Sequence, residues 1–171
     1  MSSDAYMFET TKLSEYIVDS YLKKYDRQIT AIKLQKVLYF LFAYWGAYVV
    51  NNDKGEVEEK FSSYRKYLFD ADIYAWTYGP VVKLIYNNFH DGKLIGNKIR
   101  KSEEIFNDDI TLKENIDGLM YELFEISDFQ LVGMAHLDKC WKSKYNSDEK
   151  QHNNIMNKDD IINEYAIKTL Q

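Results

Sequence analysis

The chain has 171 residues, of which 46% are hydrophobic and 29% are charged, and its formal net charge at pH 7 is -5. This length and composition predict a single domain over 1–171 with one core, and they exclude a disordered chain. The acidic balance argues against general nucleic-acid binding, because clustered Lys and Arg supply most of the affinity for phosphates. Cys140 is the only cysteine and no export leader is evident, so we expect a cytoplasmic protein.

Two helices are predicted in the first fifty residues. Apolar residues at Leu13, Ile17 and Tyr21 follow the spacing of one helical face, and Thr10 or Thr11 is the expected N-cap. The second helix begins near Thr30 and becomes apolar on nearly all sides, which favours the centre of a bundle. Its run VLYFLFAYWGAYVV has 14 residues, whereas roughly 20 are needed to span a bilayer, so we predict a buried helix and no membrane partner.

The middle of the chain offers weaker patterns. The segment 51–56 is a polar break, and 61–76 predicts at most one short strand or hairpin. Pro80 is the only proline, and we predict that it opens a helix formed by VVKLIYNNF, since the first helical position needs no backbone N–H. The polar segment between His90 and Asp109 predicts a surface insertion or mobile loop, in which KLIGNKIR could pair as a small ribbon.

Two of the remaining helices are predicted from their capping boxes. Thr111 with Glu114, and Ser127 with Gln130, form the pattern of a capping box, and a final helix is expected after Asn157. The whole pattern predicts a mainly α, compact, single-domain bundle of about six helices with at most a small β-hairpin.

Residue patterns for catalysis or cofactor binding are few. There is no glycine-rich phosphate loop and no G-x-S-x-G elbow. His136 and Cys140 lie four apart and could share a helical face, but His90 and His152 stand in unrelated polar stretches, so the ligand set for zinc is incomplete. We expect no metal, no cofactor and no enzyme activity, with a Cys–His nucleophile as the enzymatic alternative. Helix capping explains the paired acids Asp108, Asp109, Asp159 and Asp160.

Three blocks carry a family resemblance: ITAIKLQKVLYFLFAYWGAYVV at 29–50, DADIYAWTYGPVVKLIYNNF at 70–89 and LVGMAHLDKCWKSKYN at 131–146. In order and spacing they resemble the Panacea domain, the family that includes SocA-like antitoxins and phage-associated GepA-like proteins. One departure is Cys140, where many members carry proline before the late Trp-Lys pair.

The resemblance implies a non-enzymatic protein that neutralises a cognate protein toxin by direct binding, and one branch of the family acts as an adaptor that delivers its toxin to a protease. The alternative is a phage or mobile-element inhibitor that binds a host defence nuclease or surveillance complex. The net negative charge of the chain suggests this alternative. Partner choice is expected in the variable segments 51–66 and 90–110.

The motif residues divide into scaffold and contact residues. Tyr78, His136 and Lys142 are the expected partner-binding residues. The aromatic residues around Pro80 suit either core packing or an interface. Lys33 and Tyr39 have polar ends that could instead face a partner. The expected scaffold residues are Lys33, Leu34, Tyr39, Trp76, Gly79, Pro80 and Trp141.

Overall fold

The computed structural model describes residues 5–52, 63–148 and 153–170. These residues form seven α-helices and four short strands, which confirms the mainly α fold. The helices are α1 (Thr10–Tyr25), α2 (Ala31–Asn52), α3 (Lys83–His90), α4 (Ile110–Glu125), α5 (Asp128–His136), α6 (Lys139–Lys142) and α7 (Lys158–Thr169). The strands are β1 (Tyr6–Phe8), β2 (Tyr67–Phe69), β3 (Tyr74–Trp76) and β4 (Gly79–Val81).

Helix α2 lies at the centre of the bundle, as its apolar surface predicts. It contacts α1, α3, α4, α5 and α7, and also the strands β2 and β4. Its packing against α7 is especially close at Gly46, where a Cβ atom would lie 2.5 Å from Cγ1 of Ile162. A larger residue at this position would therefore force the two helices apart.

The second predicted capping box is present, and the last helix begins after Asn157, as predicted. Ser127 accepts a hydrogen bond from the amide of Gln130, whose side chain accepts one from the Ser127 amide. Asn157 caps α7 by accepting from the amide of Asp160. Thr30 similarly accepts from the amide of Lys33 at the start of α2.

Two other predicted caps are wrong. The N-cap of α4 is Asp109, which accepts from the Leu112 amide at 3.0 Å, so the helix begins before Thr111 and that capping box does not form. The N-cap of α1 is Glu9, without a side-chain cap. Thr10 is already helical, and its hydroxyl donates to Oδ1 of Asp70 at 2.7 Å, which ties α1 to the loop after β2.

The strands form two separate pairs. Strands β1 and β2 are parallel, whereas β3 and β4 are antiparallel and form a hairpin. The prediction for Pro80 is wrong, because Pro80 lies in β4 opposite Ala75 and α3 begins only at Lys83. Gly79 has a φ of 98°, a conformation that favours glycine.

The segment after α3 packs against α1 instead of forming the predicted ribbon. It contains two 3₁₀ helices, Gly96–Lys98 and Ser102–Phe106. Leu94 and Phe106 are buried, and the Gln28 side chain bonds the carbonyl of Leu94 and the amide of Gly96. Much of 90–110 is therefore part of the packed body.

Two further predictions concern the membrane and the segment 51–66. None of the helices in the described ranges has the length and hydrophobicity needed to cross a bilayer. Helix α2 extends through Asn52, which is inside the predicted polar break, and 53–62 lie outside the described residues.

Candidate functional site

The β3–β4 hairpin is the place where the three sequence blocks meet. It is bonded on one side by side chains from α2, in the first block, and on the other by side chains from α5 and α6, in the third block. The second block supplies the hairpin itself. Residues far apart in sequence thus form one continuous structure around its turn.

On the α2 side, two polar side chains hold the strand β4 and the residue after it. The Gln35 amide pairs with the Val82 backbone in both directions: Val82 N–H donates to Oε1 at 2.8 Å, and Nε2 donates to the Val82 carbonyl at 3.2 Å. The Lys36 ammonium donates to the Pro80 carbonyl at 2.8 Å. A Cβ atom on Gly79 would lie 3.0 Å from Cε of Lys36, so the approach of the hairpin to α2 requires glycine in both space and φ.

Lys36 is an unusual buried cation. Its side chain is 1% exposed, and burial lowers the pKa of its ammonium to about 7. Among the residues that the structure describes, the Pro80 carbonyl is its one hydrogen-bond acceptor, and no carboxylate pairs with it. An ammonium has three donors, so this site leaves part of its bonding capacity unused.

On the other side, an aromatic stack supports the turn of the hairpin. Trp141 donates from Nε1 to the Trp76 carbonyl at 2.9 Å, and His136 donates from Nε2 to the Thr77 carbonyl at 2.9 Å. The His136 and Trp141 rings stack with centroids 4.4 Å apart, and Tyr145 stacks on the far side of Trp141 at 4.7 Å. The backbone around Thr77 is therefore fixed by side chains from two other elements.

The outer surface of this region exposes apolar area, and we call it the hairpin face: Tyr78, His136 and Leu137. Tyr78 is 62% exposed at the turn, and Leu137 is 70% exposed immediately after His136. The structure thus brings together two of the three expected contact residues, since His136 bonds the residue before Tyr78. Lys142 is exposed on α6, next to Trp141.

The polar ends of Lys33 and Tyr39 point inward. The Lys33 ammonium bonds the carbonyls of Phe124 and Ile126 at the end of α4, and it lies 3.4 Å from Oδ1 of Asp128. Tyr39 donates to Oδ2 of Asp138 at 2.5 Å. Leu34, the third expected scaffold residue of this helix, is fully buried.

Asp138 is the centre of a buried polar network that joins α2, α6 and α7. Its side chain accepts from Tyr39, from Tyr165 at 2.7 Å and from Lys168 at 2.6 Å. Burial, together with the neighbouring acid, raises the pKa of Tyr39 and of Tyr165. The two phenols therefore stay protonated and act as donors to the carboxylate.

Cys140 lies beside this network, and among the described residues its thiol has no hydrogen bond to the His136 ring that the enzymatic alternative requires. Its thiol is 3.5 Å from the Tyr39 hydroxyl, and burial raises the pKa of the thiol to about 12, which disfavours the nucleophilic thiolate. Cys140, Asp138 and Glu164 have potential metal-ligand atoms within 4.8 Å of one another. Protein donors already engage both carboxylates, since Glu164 accepts from the amides of Lys139 and Cys140, so the hydrogen bonds account for this cluster without a metal.

Sequence reasoning missed three residues that organise the site: Gln35, Lys36 and Asp138. The available signal was the position of Gln35 and Lys36 on a helix that is otherwise apolar on nearly all sides, where a polar residue is forced inward. Asp138 carries no such signal, because its partners come from two distant elements, α2 and α7.

Comparison with known proteins adds no relative: no protein-family model matches the chain, and no curated protein or solved structure matches it.

Proposed function

We propose that this chain is an antitoxin-like protein that neutralises a cognate protein toxin by direct binding in the cytoplasm, with the hairpin face as the contact surface. The observation that carries the proposal is Tyr78, which is 62% exposed at the turn of a hairpin whose backbone is bonded on both sides. Tyrosine contributes large contact area at an interface with little loss of conformational freedom.

The rigidity of the turn supports binding through this surface. Because α2 and the aromatic stack already hold the hairpin, a partner would not have to order it, and this reduces the entropic penalty of association. The exposed side chain of Leu137 extends the apolar area, and Lys142 on α6 supplies a nearby positive charge. The resemblance of the three blocks to the Panacea domain supplies the toxin as the expected kind of partner.

A direct test co-expresses this chain with the product of each neighbouring open reading frame and measures growth. We expect one neighbour to arrest growth alone and to be tolerated with the wild-type chain. Tyr78→Ala should abolish the rescue while leaving thermal unfolding nearly unchanged, because the side chain is exposed. The matched control is Tyr48→Ala, which removes an exposed tyrosine from α2 and should rescue as the wild type does.

Affinity capture from the native host then distinguishes the partner classes. Recovery of the toxic neighbour supports the proposal, and a protease recovered only when the toxin is present indicates an adaptor. Recovery of a defence nuclease or surveillance complex, with every neighbour harmless, would replace the antitoxin by an inhibitor. Equal loss of rescue in Tyr78→Ala and Tyr48→Ala would remove the hairpin face as the contact surface.

A further inference from the structure

A pocket of about 220 Å³ lies between the first turns of α2 and the β3–β4 hairpin. Its wall is almost entirely apolar. It borders the exposed turn, since Thr77 and Tyr78 are among its lining residues. The principal lining residues are Ile32, Lys36, Trp76, Tyr78, Val81 and Tyr86.

The size of the pocket limits what it can hold. An apolar cavity of about 150 Å³ is enough for a benzene molecule. This pocket therefore suits one aromatic ring or a short branched chain with a small substituent, and it is too small for a nucleotide or a drug-sized ligand. The rings of Trp76 and Tyr86 meet edge to face with centroids 4.9 Å apart, and they provide an aromatic wall for such a group.

Two residues of this apolar wall carry hydrogen-bond donors with unused capacity. Lys36 has the Pro80 carbonyl as its one acceptor in the described part of the chain. Trp76 Nε1 is buried and has no acceptor there. The pocket also borders Ala31 and Ile32 in the first turn of α2, and the N-terminal end of a helix favours negative charge.

The geometry points to a binding site for a small monocarboxylate with an apolar body, held by pairing of its carboxylate with the Lys36 ammonium and by packing of its ring or alkyl chain on the apolar wall. A neutral hydrocarbon would fill the same space and leave the ammonium without an opposite charge, and a cation would be repelled.

The electrostatics of Lys36 favour the same ligand class. Burial lowers the pKa of its ammonium to about 7, because the charged form loses its hydration and gains no acid. A bound carboxylate would restore a charge partner in a water-poor site, where ion pairing is stronger than in water. The same pairing would stabilise the protonated form of Lys36.

The test is isothermal titration of the full chain at slightly acidic pH with phenylacetate and with phenylacetamide, which has nearly the same shape and no charge. We expect saturable binding of phenylacetate and binding of the amide weaker by about tenfold or more, because a hydrogen bond to a charged group is lost. The Trp76 indole N–H resonance, assigned with Trp76→Phe, should shift with phenylacetate at the same midpoint.

Two variants distinguish pairing of the ligand carboxylate with Lys36 from a general attraction of the anion to positive charge on the protein. Lys36→Met should remove the preference for phenylacetate over the amide. The matched control Lys142→Met removes an exposed lysine outside the pocket wall and should keep that preference. If Lys36→Met fails to fold, the comparison of acid and amide on the wild type still decides the matter.

Three results would overturn the inference: no saturable binding of phenylacetate, equal binding of acid and amide, or an unchanged preference in folded Lys36→Met. A further arm uses the peptide acetyl-Gly-Gly-Phe with a free carboxyl end and with an amidated end. Binding of the free peptide without binding of phenylacetate would assign the pocket to a protein C-terminus and contradict the small-molecule ligand.

Discussion

Lys33 and Lys36 lie one turn apart on α2, and both are buried, yet their surroundings differ. Lys33 bonds two carbonyls at the end of α4 and pairs with Asp128 of α5. Lys36 bonds one carbonyl of the hairpin and, within the described ranges, pairs with no acid. The desolvation penalty of a buried lysine in the same helix is thus offset at Lys33 and only partly offset at Lys36.

The difference separates a structural cation from a candidate functional one. At Lys33 the ammonium satisfies carbonyls that the end of a helix leaves without partners, and positive charge at that end is favourable. At Lys36 a buried charge keeps most of its desolvation penalty, and proteins retain such violations mainly at functional sites. We therefore associate Lys33 with stability and Lys36 with the pocket beside the hairpin.

The largest expected effect comes from making the same substitution at both positions. Lys33→Met should lower the free energy of unfolding by about 3 kcal/mol, because it leaves Asp128 and the α4 carbonyls without their cation. Lys36→Met should change it by less than about 1 kcal/mol, or increase it, because a desolvated charge is removed along with one hydrogen bond. Urea denaturation of the two variants and the wild type measures both changes.

Equal destabilisation by the two substitutions would contradict the comparison. It would mean that the burial of the Lys36 ammonium is offset by its partners to the same extent as that of Lys33. The pocket would then contain no unpaired charge.

The next effect concerns Gly79, where the hairpin approaches Lys36. Gly79→Ala should lower the free energy of unfolding by about 2 kcal/mol, because a non-glycine residue is strained at this φ and its Cβ would press on Lys36. Pro80→Ala should lower it by about 1 kcal/mol or less, since alanine is compatible with the strand. Thermal unfolding of both variants measures the difference, and a Gly79→Ala effect no larger than that of Pro80→Ala would show that the hairpin adapts at this point.

The lowered pKa of Lys36 predicts that the free energy of unfolding changes with pH, by a smaller amount per pH unit than the effects above. Between about pH 7, the pKa in the folded chain, and 10.5, the ordinary value, the unfolded chain binds more protons than the folded chain at this residue. The free energy of unfolding should therefore rise with pH across this window, by up to about 1.4 kcal/mol per pH unit. Below about pH 7 both states are protonated and the unfavourable burial is fully present.

The Lys36→Met variant isolates this contribution, because all other titrating groups are shared. Stability curves should diverge above about pH 7, with the wild type gaining on the variant. Parallel curves between pH 7 and 10 would contradict a lowered pKa at Lys36.

Local sequence patterns predicted the helices well where one pattern was decisive. The spacing of Leu13, Ile17 and Tyr21 identified α1, and Ser127 with Gln130 identified the start of α5. The prediction failed where two local patterns competed. Thr111 offered a capping box, but Asp109 two residues earlier supplied the actual cap of α4.

Non-local contacts account for the other failures. The φ of proline suits both a helix start and a strand, and pairing with β3 decides for the strand at Pro80. The hydrogen-bond partners of Lys36 and Asp138 lie on other elements of the fold. No spacing in the sequence therefore reveals how far the buried charge of either residue is compensated. The sequence could identify the blocks that meet at the hairpin but could not identify the pocket between them.

The most direct test of this account is an NMR titration of the Lys36 side chain, followed at Cε and assigned with Lys36→Met. A buried ammonium without a carboxylate partner should titrate with a midpoint near pH 7. A midpoint near the ordinary 10.5 would show that Lys36 is solvated or paired with an acid, and it would contradict the distinction between Lys36 and Lys33 on which the account rests.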